Sequence, residues 1–108
     1  VTPVAILVAA VALTSGLHGV VTLGPTKPVC QVGMSCSAPA AYRTLVFTRF
    51  GVSRRVKTDG FGRYRIGLVP GQYAVRAVGA RFGFQPRAVW VRAGVNLRVN
   101  FAIDTGIR

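Results

Sequence analysis

Acidic side chains are almost missing from this sequence. Asp59 and Asp104 stand against fourteen Lys and Arg, leaving a net charge of +12, and His18 is the only histidine. Two carboxylates are too few for a calcium site, which takes several oxygen ligands. One histidine and two cysteines do not readily assemble a four-ligand zinc site, so neither metal nor cofactor is expected. Cys30 and Cys36 lack the C-x-x-C spacing of a redox pair. No recognised DNA- or RNA-binding motif appears, and specific nucleic-acid recognition is not expected. A convincing helical period is missing too.

What is present begins with an uncharged apolar run, VTPVAILVAAVAL over 1–13. Its length suits the apolar region of a signal peptide and falls short of the ~20 residues of a membrane span. Ala10-Val11-Ala12 offers an A-x-A cleavage site and Ser15-Gly16 a second, although no Lys or Arg precedes Lys27. The expected organisation is an export segment over 1–15 and one domain over 16–108. Transient membrane association through the N-terminal segment would precede cleavage. A buried strand or helix and a retained anchor are the competing readings of the same run. The two cysteines, in the loop PVCQVGMSCSAP, agree with an oxidising compartment. A Cys30–Cys36 disulfide would close a short loop and contribute about 2 kcal/mol.

Thirteen Gly and six Pro separate short β-rich runs. The spacing predicts seven strands, over 16–23, 42–50, 54–58, 63–69, 72–80, 88–92 and 96–103, the pattern of a sandwich. Alternation places Tyr64, Ile66 and Leu68 in the core, with Tyr73, Val75, Ala77, Val89 and Val91. Leu97, Val99, Phe101 and Ile103 join them by the same rule, and Trp90 turns outward. In the run Leu45-Val46-Phe47 the register is ambiguous, with Leu45 and Phe47 favoured inward.

The stretch VKTDGFGRYRIGLVPGQYAVRA, over 56–77, closely resembles the signature of carboxypeptidase regulatory-like domains, V-x-T-D-x-x-G-x-Y followed by L-x-P-G-x-Y-x-V. Gly19-Val20-Val21-Thr22 fits the first strand of that family. The segment around Cys30 and Cys36 and the closing 103–108 look like a group of exported bacterial proteins of this class. The resemblance implies an all-β fold, a seven-stranded antiparallel Greek-key sandwich of the transthyretin type. In the turns, Asp59 caps with its carboxylate, Gly62 supplies a positive φ, and Pro70-Gly71 fixes a reversal.

These observations point away from an enzyme. Transthyretin-like hydroxyisourate hydrolases use several histidines and a C-terminal Y-R-G-S, whereas this chain ends in DTGIR and His18 has no evident partner. The expected role is a non-enzymatic, exported or cell-surface interaction or structural module. The alternative is binding of carbohydrate or an anionic polymer by an outward face of Trp90, Arg92, Arg76 and Arg98. An extracellular protein, a polysaccharide or an anionic cell-wall polymer is the expected partner. Arginines as the solvated face of alternating strands are the plainer reading.

Overall fold

A computed structural model describes residues 15–29, 33 and 36–107. Every regular element among them is a strand: β1 (Gly16–Gly24), β2 (Ala38–Pro39), β3 (Thr44–Arg49), β4 (Val52–Lys57), β5 (Arg63–Gly67), β6 (Gly71–Ala77), β7 (Phe84–Gln85), β8 (Ala88–Val91), β9 (Asn96–Arg98) and β10 (Phe101–Asp104). They form two sheets. One is the antiparallel series β4-β3-β6-β8, and the other is built around β1. The first half of β1 lies between β5 and β9, and its second half between β2 and β10, with β7 beyond β10.

The alternation in sequence becomes a core shared by both sheets. Leu17 and Val21 from β1, Leu45 and Phe47 from β3, Tyr64 and Ile66 from β5, Tyr73 and Val75 from β6, and Phe101 and Ile103 from β10 are all buried. Phe47, Tyr64 and Phe101 pack with ring centres 5.5 to 6.2 Å apart, and Phe84 stacks on Phe101 at 5.1 Å. Such pairs add to the burial of their area.

Three expectations are corrected. The second sheet is not wholly antiparallel: β1 runs parallel to β9 and β10. A parallel neighbour needs a long crossover, and nearly the whole chain supplies it here.

The last strand is broken, where one strand over 96–103 is expected. The Val99 carbonyl accepts the Tyr64 hydroxyl at 2.6 Å instead of continuing the ladder. The Val20 amide then donates to Asn100 Oδ1 at 3.0 Å. Gly19 makes this approach possible, since a Cβ there would lie 2.1 Å from the Val99 oxygen.

Leu97, expected in the core, is 38% exposed. It lies on β9, whose only strand partner among the described residues is β1, and lines a groove beside β8 at the open side of the sandwich. The two-residue strands β2 and β7 fall in segments too short for any period to reveal.

Candidate functional site

The four residues expected to share one face divide between the two sheets. Trp90 points outward from β8 and is 59% exposed. It stands opposite Gln72 of β6 in register, so Arg76 lies four residues farther along the same face. At the strand rise that is about 13 Å away.

Arg92 follows β8 and joins Trp90 in lining a groove of about 440 Å³ with Pro86, Val95, Leu97 and Val99. This floor is apolar, one Arg lies at its edge, and an aromatic ring is left in water. The arrangement can hold a flat or ring-shaped group against Trp90 and bond its polar rim through Arg92.

Arg98 belongs to the other sheet. It stands across from His18, which on its other side stands across from Arg65. All three, with Lys57 and Arg63, line a separate groove of about 510 Å³. His18 Nδ1 bonds the Asn96 side-chain oxygen, which anchors the ring. Among the described residues no group of three His, Cys, Asp or Glu comes together.

The turn residues act as local fasteners. Asp59 Oδ1 accepts the amides of Phe61 and Arg63, each at 2.9 Å, and Oδ2 accepts Arg63 Nε at 3.1 Å. The Arg63 amide is the main reason the Asp59 carboxyl is held below its ordinary value of 3.8; desolvation opposes it, and the Phe61 amide and the Arg63 guanidinium add to the lowering. Gly62 has φ +77°, and a Cβ there would meet the Val21 carbonyl at 2.5 Å. Beside Pro70-Gly71, the Tyr73 hydroxyl donates to the Val69 carbonyl at 2.6 Å, tying the reversal to the core.

Two anchoring residues had gone without a role. Thr58, 2% exposed, accepts the Arg43 amide at 2.8 Å and donates to the Ala40 carbonyl. The signal lay in the V-x-T-D pattern, where a small hydroxyl precedes the capping aspartate. Ser15, 1% exposed, accepts the Gly94 amide at 2.8 Å through Oγ and the Leu68 amide at 3.1 Å through its carbonyl. The described fold thus includes Ser15, the last residue assigned to the export segment. The rest of that segment, 1–14, and the Cys30 side of the Cys30–Cys36 pairing lie outside the described residues.

Comparison with protein families, with curated proteins and with solved structures finds no match for this chain.

Proposed function

We propose that this chain is a non-enzymatic interaction module that works at the cell surface or outside the cell, on a carboxypeptidase regulatory-like, transthyretin-type sandwich. The signature over 56–77 and the packing of two sheets support the fold assignment. The apolar run over 1–13 and the paired cysteine count support export and a Cys30–Cys36 disulfide. The observation that carries the functional reading is Trp90, the single tryptophan, standing exposed over an apolar groove beside Arg92. An exposed aromatic on a rigid strand is a contact surface, and the groove suits a sugar ring or an apolar side chain of a partner protein.

Catalysis finds little support. His18 is tethered to Asn96, and Asp59 is committed to its turn. A binding screen of the oxidised chain against glucans, wall polysaccharides and anionic polymers, at ~0.15 M salt, tests the reading. Binding that survives salt and is lost in Trp90→Ala identifies a carbohydrate platform. Binding that disappears with salt and ignores Trp90→Ala rejects the groove as its seat. No binding to any polymer directs the groove to a protein partner, to be sought by crosslinking from position 90.

A further inference from the structure

The two ends of the sandwich differ in chemistry. At one end lie the β3–β4 turn at Phe50-Gly51, the β5–β6 turn over 68–70 and the β8–β9 turn over 92–95. Ser15 lies there too, bonded to Leu68 and Gly94. Both carboxylates are elsewhere: Asp59 sits in the β4–β5 turn, and Asp104 stands opposite Gly24 at the far end of β1.

The acid-free end presents apolar tips. Phe50 is 89% exposed, Val69 59% and Val52 65%. Phe50 holds φ +51° and Gly51 φ +77°, the geometry of a two-residue hairpin turn with both central residues left-handed. Asn is the ordinary choice at the first of these positions, and a bulky ring there is strained. The turn holds this aromatic ring out in solvent at its tip. Arg49 stacks on it, guanidinium carbon 4.7 Å from the ring centre, and Arg92 lies in a neighbouring turn.

We infer that this end docks onto a lipid bilayer bearing anionic headgroups, with Phe50 and Val69 entering the interface and Arg49 and Arg92 pairing with the headgroups. Three observations select this partner. Apolar tips rimmed by arginine and free of acids match the interfacial pattern. The left-handed turn at Phe50 holds the ring in water with the Arg49 guanidinium stacked on it, so ring and cation are presented together. The sequence that precedes Ser15 is itself apolar. Docking of this kind is peripheral and shares Arg92 with the edge of the Trp90 groove.

The test is nuclear magnetic resonance of the full ¹⁵N-labelled chain with bicelles of one part phosphatidylglycerol to three of phosphatidylcholine, carrying a gadolinium-chelating lipid. The Phe50, Gly51 and Val69 amides broaden selectively, while Phe61 and Asp104 at the far end stay sharp. Bicelles of phosphatidylcholine alone give weaker broadening. Arg49→Gln and Arg92→Gln each weaken docking about fivefold, and Phe50→Asn with Val69→Ser weakens it about tenfold. Asn suits the left-handed position, so the last variant folds and its dispersion checks that. Equal broadening at both ends, or sharp Phe50 and Val69 amides while the chain stays with the lipid, overturns the inference.

Discussion

Val46 stands directly across from Arg76 in the β3–β6 register, and it is 1% exposed on the outer face of its sheet. Its other cross-strand neighbour is Arg55. Leu45 and Phe47 belong to the core cluster, so Val46 is covered from the solvent side, where directly opposed side chains lie close enough for the two arginine stems to shield it.

Removing that cover is expected to cost stability through lost packing. Arg55→Ala with Arg76→Ala lowers the unfolding free energy by about 1 kcal/mol, more than two exposed arginines ordinarily would. Arg→Met at both positions keeps the stems and recovers most of it. Urea unfolding measures both, and an equal loss in the Met variants would assign the effect to charge.

Gly19 and Tyr64 together explain why the last strand breaks. Gly19→Ala sets a Cβ against the Val99 backbone and is expected to prevent folding or to cost more than about 3 kcal/mol. Tyr64→Phe leaves the Val99 carbonyl without its donor and costs about 1 to 2 kcal/mol. Circular dichroism with urea unfolding separates the two.

Much of this was legible in the residues. Strict alternation over 63–68 and 73–77 gave the inward set, because each strand has one face on the core and one in water. The Leu45-Val46-Phe47 run hides its alternation because Val46 is buried as well, yet the pair in the core cluster is Leu45 and Phe47, as favoured. Leu97 defeats it differently: the residue has the inward parity, but the facing sheet ends at β8 and leaves it beside an open groove. The expected Trp90, Arg92, Arg76 and Arg98 face divided because parity says which side of a strand a residue takes and not which sheet the strand joins.

The Asp59 turn gives a pH dependence with a definite sign. Its carboxyl titrates lower in the folded chain than in the unfolded one. The stability it contributes is therefore present above the unfolded value near 3.8 and is lost as pH falls through the folded value. Urea midpoints between about pH 2 and 5 should fall on acidification, and Asp59→Asn should flatten that acid limb while keeping the Oδ1 acceptor.

Ser15 separates the two candidate cleavage sites. Cleavage after Ala12 leaves its bonds to Gly94 and Leu68 in place, whereas cleavage between Ser15 and Gly16 removes them. On the proposed export, the intact mass of the secreted chain should correspond to a start at Leu13. A chain made to begin at Gly16 should be less stable by about 1 to 3 kcal/mol.

The central claim is that Trp90 is an open contact surface, and its fluorescence tests this directly because the chain has no other tryptophan. The free chain should emit at the red, water-exposed end of the tryptophan range, with iodide quenching efficient beside Arg92. A bound ligand or partner should shift the emission to the blue and protect it from iodide. Blue emission that iodide cannot quench in the free chain would show Trp90 already covered, and the groove would then have no free aromatic to offer a partner.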